Sequence, residues 1–315
     1  MTIVVTELIW PSGLALLERA GHVIYDQTLW TDRQRLLSLL AHCEALIVRN
    51  QTRVDAELVS GAPGLRVVGR LGVGLDNLDM RALRERGIAV VTGGNANAIS
   101  VAEYAIGAML ALARSLPGAD ASTRAGGWDR QRFTGTELYG KTLGLLGLGD
   151  VGARVARRAS AFGMRLIAYD PALTPTHLAV AEFGVQLLDL DEVLRQSDFL
   201  SLHLPLLPST RNLVNADRLA LMKPTAYLIN SSRGGVVDEM ALASALASGR
   251  LAGAALDVRA SEPPGAGDPL TSLQNVLLTP HIAGLTQEAQ DRICTAVAGD
   301  VLRVLAGQKP VFGVA

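Results

Sequence analysis

Short apolar runs alternate with longer stretches whose apolar positions recur at helical spacing along nearly the whole chain. Strands buried on both faces read as continuous apolar runs, and the helices that wrap them need only one apolar stripe, so this alternation is the pattern of parallel sheets covered by helices. The runs predict strands over Ile3–Val5, His22–Tyr25, Ala45–Val48, Leu65–Gly69 and Ile88–Val91. Helical spacing predicts helices over Ser12–Ala20, Thr31–His42, Asp55–Ser60 and Asp79–Arg86. A long helical pattern from Ser100 to Arg124, broken near Pro117-Gly118, then carries the chain onward, with Ser100 and Glu103 spaced as a capping box. Beyond it strands are predicted at Leu143–Leu146, Arg165–Tyr169, Val185–Leu188, Phe199–His203, Tyr227–Asn230, Gly253–Leu256 and Val276–Leu278. Helices fit Ala153–Ala161, Asp189–Gln196, Asn215–Leu221, Glu239–Ser248 and a long final stretch, Gln287–Leu305.

One junction carries chemistry. Between the strands ending at Leu146 and Tyr169 lies Gly147-Leu148-Gly149-Asp150-Val151-Gly152, followed by a helix, with Asp170 closing the second strand. Gly147 suits a tight turn, Gly149 a close backbone approach to a pyrophosphate, and Gly152 close packing of helix on strand. An acid about 20 residues on is placed to accept hydrogen bonds from a ribose. A bare strand-to-helix turn leaves that acid unexplained. Gly147, Gly149, Asp150, Val151, Gly152 and Asp170 are therefore expected to bind a dinucleotide, and the cofactor is expected to be NAD: a carboxylate repels a 2′-phosphate, and Pro171-Ala172 follow instead of an arginine. The fold class is α/β, with two doubly wound parallel-sheet domains. A Rossmann domain over residues 98–283 is inserted in a flavodoxin-like substrate domain made of residues 1–97 plus 284–315, and a cleft between domains is the default ligand site.

Composition narrows the function. Of 315 residues, 49% are hydrophobic and 19% charged, which marks a globular chain, and a formal charge of −1 provides no general field for nucleic acid or anionic membrane. Cys43 and Cys294 form no C-x-x-C pair and are expected to be buried free thiols, as suits a cytoplasmic protein. The first residues lack the basic and apolar regions of a signal peptide, and the apolar run Tyr104–Ala113 is too short to span a bilayer. No metal is expected.

Moving a hydride to or from a hydroxyl-bearing carbon requires a base for the hydroxyl proton, a cation for a substrate carboxylate and developing oxyanion, and a group that tunes the base. Arg233, Glu262 and His281 each lie just past a predicted strand, at the carboxyl edge where a parallel sheet meets its cofactor crevice. An isolated histidine titrates near ~6.5, and a neighbouring carboxylate favours its protonated form. An arginine stays charged and presents a fork of donors that fits a carboxylate. His203 also ends a strand there and is the rival base, read mainly as a wall of the cofactor site. Asp257 closes a strand beside the same crevice, either as a simple cap or as a cofactor contact.

In order along the chain, Gly72-Val73-Gly74-Leu75-Asp76-Asn77, Ser100-Val101-Ala102-Glu103-Tyr104, Gly140-Lys141-Thr142, His203-Leu204-Pro205-Leu206, Ser232-Arg233-Gly234-Gly235-Val236-Val237-Asp238-Glu239 and Thr279-Pro280-His281-Ile282-Ala283-Gly284 resemble the D-isomer-specific 2-hydroxyacid dehydrogenases over almost the full length. The resemblance implies that His281 is the acid/base, that Glu262 pairs with it, and that Arg233 binds the substrate carboxylate and carbonyl. It implies further that backbone amides of Leu71, Gly72, Val73 and Gly74 hold the carboxylate, that Asp257 orients the nicotinamide carboxamide, and that Ser232 and His203 border the cofactor. Arg259-Ala260-Ser261 departs from the aromatic and acidic residues usual just before the glutamate. The family also suggests a homodimer built on the 100–124 helix, with Trp128 either an interface anchor or plain packing.

Arg49, in Val48-Arg49-Asn50-Gln51-Thr52-Arg53, ends a strand and either reaches an anionic substrate tail or pairs with a surface carboxylate. The first choice favours a substrate with a second anion. The wording around Arg49 and Gly69–Gly74 resembles the sulfolactate and phosphoglycerate branches, so a 3-sulfolactate-like acid is the leading expectation. The alternatives are 3-phosphoglycerate, a hydroxypyruvate or glyoxylate reductase, and, in a different class, an NAD-sensing scaffold without turnover. With the sequence ending at Ala315, a regulatory domain like that on some phosphoglycerate enzymes is not expected.

Overall fold

The computed structural model describes residues 1–314 and resolves them into two compact units. One comprises Met1–Asn97 together with the chain from Leu285 onward, and the other comprises Ala98–Gly284.

In the first unit, strands β1 (Thr2–Val5), β2 (His22–Tyr25), β3 (Ala45–Val48), β4 (Val67–Arg70) and β5 (Ala89–Thr92) form a parallel sheet in the order β2-β1-β3-β4-β5. Gly313–Val314 adds an antiparallel edge to β5. The strand order is the flavodoxin-like one. β3 is buried at every position because both faces are covered: Leu36, Leu40, Leu58 and Leu83 pack on one side, and Leu17, Ile293, Val297 and Val301 on the other. The last three lie four residues apart on the helix Gln287–Leu305, which Thr286 caps by accepting the Ala289 N–H at 3.2 Å. Cys43 and Cys294 are free and buried, and burial pushes the Cys43 thiol up to about 12.

The second unit is a parallel sheet of β6 (Thr142–Leu146), β7 (Arg165–Tyr169), β8 (Gln186–Leu187), β9 (Phe199–Leu202), β10 (Tyr227–Asn230), β11 (Gly253–Leu256) and β12 (Val276–Leu278), in the order β8-β7-β6-β9-β10-β11-β12. This is the dinucleotide-binding order with one strand added, and the direction of winding reverses between β6 and β9. The apolar helix Ala98–Ala113 buries Ala102, Ala105 and Met109 against one face of the sheet. No single helix among the described residues is long and apolar enough to cross a membrane; the bent pair Ala98–Ala113 and Leu116–Arg124 has the length and composition only when taken together.

Several local expectations shift. The helix pair breaks between Ala113 and Leu116 and not at Pro117, because proline is tolerated in a helix's first turn; the break is made by Ser115 at φ 47°. Ser100 lies inside the first of these helices, which starts at Ala98, and Glu103 pairs with Arg158 at 3.2 Å. The helix after the glycine turn starts at Asp150, so Val151 and Gly152 are helical.

Candidate active site

The cofactor turn starts where β6 ends. Gly147 adopts φ +92° and donates its N–H to the Tyr169 carbonyl at 2.9 Å, and a Cβ there would lie 2.6 Å from the His203 carbonyl oxygen, so both backbone shape and space require glycine. A Cβ on Gly152 would meet the Gly147 carbonyl oxygen at 2.2 Å. Gly149 differs: no protein atom lies within 4 Å of its Cβ position. It caps the 12-residue helix Asp150–Ala161, whose N-terminal amides and dipole favour an anion. Asp170 links the turn to the end of β7, accepting the Leu148 N–H at 2.9 Å and the Ala172 N–H at 3.0 Å. Its unused lone pairs are those available to ribose hydroxyls. Asp150 pairs outward with Arg154 at 3.0 Å, and Val151 packs on the core, so their contribution to an anion site is through the backbone. Open space over Gly149, a helix N-terminus and a carboxylate with no arginine after it fit NAD.

The candidate chemical groups converge at the carboxyl edge of the same sheet. His281 Nδ1 bonds Glu262 Oε2 at 2.8 Å, and both side chains are partly exposed. Glu262 Oε1 accepts the Arg259 N–H at 3.0 Å. Burial pushes the Glu262 carboxyl up, but the bonds from His281 and Arg259 and the charges of His281 and Arg233 outweigh it and hold the group below the ordinary carboxylate range. The Arg233 charge is thus felt at Glu262, from a loop that follows β10. Asn230, 1% exposed, shapes that loop by donating to the Arg233 carbonyl at 3.0 Å and accepting from Ser232 N and Oγ at 3.1 and 2.9 Å. Arg233 Nη1 donates to the Ser232 carbonyl at 2.7 Å.

His281 is held in the left-handed region at φ 55°, which a β-carbon disfavours, so its surroundings must impose it. Asp257, 1% exposed, is the imposing group. Its carbonyl takes the His281 N–H at 2.8 Å, Oδ1 takes Thr279 Oγ1 at 2.7 Å and Ile282 N at 2.8 Å, and Oδ2 takes Ala283 N at 2.8 Å. Tyr104 Oη adds a 2.6 Å bond to Thr279 Oγ1. Oδ1 accepts two bonds and Oδ2 one, so Oδ2 retains a lone pair and this grip on the histidine loop is compatible with a contact to a cofactor amide.

In the first unit, Arg49 donates to the Leu8 carbonyl at 3.3 Å, bonds the Gln290 amide oxygen and lies 5.6 Å over the Trp10 ring. Its loop is shaped by Glu7, 3% exposed, whose carboxylate accepts the N–H groups of Arg49, Asn50, Gln51 and Thr52 at 2.8 to 3.1 Å. In the 71–74 loop, Leu71 N bonds the Val48 carbonyl at 2.8 Å, Gly72 takes φ +148° and accepts the Gly93 N–H at 2.9 Å, and Val73 is exposed.

His203 follows β9 and bonds Ser201 at 2.9 Å; burial pushes its ring down to about 4, so it is uncharged near neutrality and unsuited to donate a proton there. Its unfolded value is ~6.5, so as pH falls from about 6.5 to about 4 the unfolded chain binds the proton first and stability drops, by up to roughly 3 kcal/mol. Replacing His203 with asparagine is expected to flatten the fall of Tm between pH 7 and 4.5, and an unchanged slope in a thermal melt series would refute this.

The residue pattern does not single out Asn230, Glu7, Thr279 or the partners of Arg259. For Arg259 a signal is present, in its departure from the usual aromatic. For the rest, only the bonds reveal the role.

A family model described as D-isomer specific 2-hydroxyacid dehydrogenase, NAD binding domain, matches residues 106–283. The chain is 44% identical over 307 residues to D-3-phosphoglycerate dehydrogenase of Methanocaldococcus jannaschii, covering 97% of this chain and 58% of that protein. It is 46% identical over 277 residues to D-3-phosphoglycerate dehydrogenase of Mycobacterium tuberculosis, covering 88% of this chain and 52% of the relative. It thus spans little more than half the length of these relatives. Among solved structures, the TT0316 protein from Thermus thermophilus superposes with a TM-score of 0.93 at 36% identity, with full coverage of both chains. A doubly wound dinucleotide unit with a glycine turn and a following acid defines the class, NAD-binding α/β proteins. Within it, the chain belongs to the D-isomer specific 2-hydroxyacid dehydrogenase family, and the cofactor of the glycine turn is NAD.

Proposed function

We propose that the protein interconverts a D-2-hydroxy acid and its 2-oxo acid, with NAD supplying or accepting the hydride. The observation that carries this is the 2.8 Å His281–Glu262 pair at the edge of the sheet that also bears the NAD turn. With Nδ1 engaged by Glu262, Nε2 is the nitrogen for the substrate oxygen. In oxidation the neutral ring takes the hydroxyl proton; in reduction the imidazolium returns it. Glu262, held ionised, stabilises the charged ring, and Arg233 provides the cation for carboxylate and carbonyl. Asp257 and Ser232 are assigned to the nicotinamide side; of the 71–74 loop, the amides of Val73 and Gly74 are assigned to carboxylate recognition, since those of Leu71 and Gly72 already donate to the Val48 and Arg70 carbonyls at 2.8 Å.

For the substrate, the sulfonate-bearing acid expected from sequence gives way to 3-phosphoglycerate, because the curated relatives are D-3-phosphoglycerate dehydrogenases. Arg49, on which the second anion rested, already engages Gln290 and Leu8, which bears equally on a sulfonate and a phosphate and does not separate them. With NADH, 3-phosphohydroxypyruvate is expected to oxidise the cofactor at least about tenfold more efficiently than sulfopyruvate, hydroxypyruvate or glyoxylate. Faster turnover of another acid would reassign the substrate, and tight NADH binding without any turnover would favour the sensor. We further propose a cytoplasmic homodimer, with Trp128, 81% exposed, and the Leu116–Arg124 helix at the interface. Light scattering at the mass of one chain would rule that pairing out.

A further inference from the structure

Arg259 stands where the family resemblance leads one to expect an aromatic residue, yet its side chain is only 8% exposed. Its Nε and Nη2 meet the two carboxylate oxygens of Glu239 at 3.2 and 2.9 Å, and Nη1 meets Asp268 Oδ2 at 2.6 Å. Both carboxylates are themselves largely covered, at 19% and 9% exposure. Such a set is costly to bury unless every member is paired, and removing one member strands the others. What it secures is geometry: the guanidinium fork bonds both oxygens of Glu239, and Asp268 Oδ2, which has no hydrogen-bond partner among the described residues, balances its charge as an ion pair.

The clamp joins three segments: the helix Glu239–Ala247 at its first residue, the loop after β11, and the turn Pro269–Ser272, which Asp268 caps through the Leu270 N–H at 3.1 Å. Glu239 Oε1 also accepts the Ala260 N–H at 2.6 Å, so side chain and backbone of the loop are gripped together. The gripped backbone is the one that reaches the proton-transfer pair, with Arg259 N–H to Glu262 Oε1 at 3.0 Å and Glu262 Oε2 to His281 Nδ1 at 2.8 Å. It also abuts the Arg233 loop, since a Cβ on Gly234 would lie 1.9 Å from the Arg259 carbonyl carbon.

We propose that Arg259 is a positioning residue for the proton-transfer pair: clamped between Glu239 and Asp268, it fixes the 259–262 backbone so that Glu262 is held against His281 and in register with Arg233. This rests on the reading of His281 as the acid/base. The charged groups around Glu262 are His281 and Arg233, and the Arg259 N–H is its remaining donor; all three hold it ionised. Loosening the backbone therefore raises the pH at which Glu262 takes up a proton.

The test uses the full chain with NADH and 3-phosphohydroxypyruvate, or the fastest acid of the panel. Arg259→Met is expected to lower kcat about tenfold with the KM for NADH within twofold, and to move the acidic limb of the pH–kcat profile upward by about half a unit or more. Arg259→Lys, which keeps the charge without the fork, should fall between. Glu239→Gln keeps the shape of the clamp and gives the same direction of change if Arg259→Met does not fold. A folded Arg259→Met or Glu239→Gln protein with an unmoved acidic limb, or activity lost only in proportion to folded protein, overturns the proposal. Loss of the underlying reading is separate: it shows as activity retained by His281→Ala in an otherwise unaltered chain.

Discussion

The His281→Ala protein is expected to lose turnover by about 10³-fold while binding NADH within twofold of the unaltered chain. Positioned general acid–base groups contribute about 10²–10⁴-fold, and here one imidazole is asked to supply both the proton and its return. Truncation removes the ring that Glu262 bonds at 2.8 Å, and leaves the cofactor turn at Gly147–Gly152 untouched. The backbone at 281 sits at φ 55°, which alanine tolerates less well than histidine, but the bonds from Asp257 reach backbone N–H groups that the truncation leaves in place, and these hold the loop. His281→Asn, whose short polar side chain suits the left-handed region, is the control for any residual strain. Stopped-flow reduction of the 2-oxo acid and a fluorescence titration with NADH separate the two quantities; an alanine variant with most of its activity would remove His281 from the chemistry.

The second large effect distinguishes two reasons for a glycine. At 152 the reason lies inside the protein: a Cβ would meet the Gly147 carbonyl oxygen 2.2 Å away, so Gly152→Ala must push helix from strand. Such overpacking costs typically about 1–3 kcal/mol, and the turn itself is displaced. Gly152→Ala is expected to lower Tm by several degrees and weaken NADH binding more than about tenfold. At 149 no protein atom lies within 4 Å of the added carbon, and φ is −73°, so Gly149→Ala leaves the melting temperature nearly unchanged. NADH affinity still falls about tenfold, because the added methyl occupies the space reserved for a pyrophosphate. Equal melting penalties for the two variants, or full NADH affinity in Gly149→Ala, would contradict this division.

Much of the framework is legible in the residue pattern because the physics involved is local. Parallel strands covered on both faces must be apolar throughout, and Ala45–Val48, Tyr227–Asn230 and Gly253–Leu256 appear with the limits their apolar runs predict. Gly313–Val314 escapes such a reading because two residues carry no period, and its pairing with β5 depends on the chain's return from a distant helix. The break after Ala113 falls elsewhere than the proline suggests, because proline signals a helix start as readily as a stop.

The same boundary divides the site. The order of residues shows which groups are on offer: a glycine turn with Asp170 after it, and an arginine, a glutamate and a histidine past the ends of β10, β11 and β12, since residue type and strand ends are local properties. How those groups are held is settled by three-dimensional packing alone. Asp257 grips the His281 loop from the preceding strand end, Arg259 takes Glu239 and Asp268 as partners, and Arg49 meets Gln290 far along the chain. Such pairings follow from how strands and loops are laid beside one another in space, and a one-dimensional pattern carries no record of that closure.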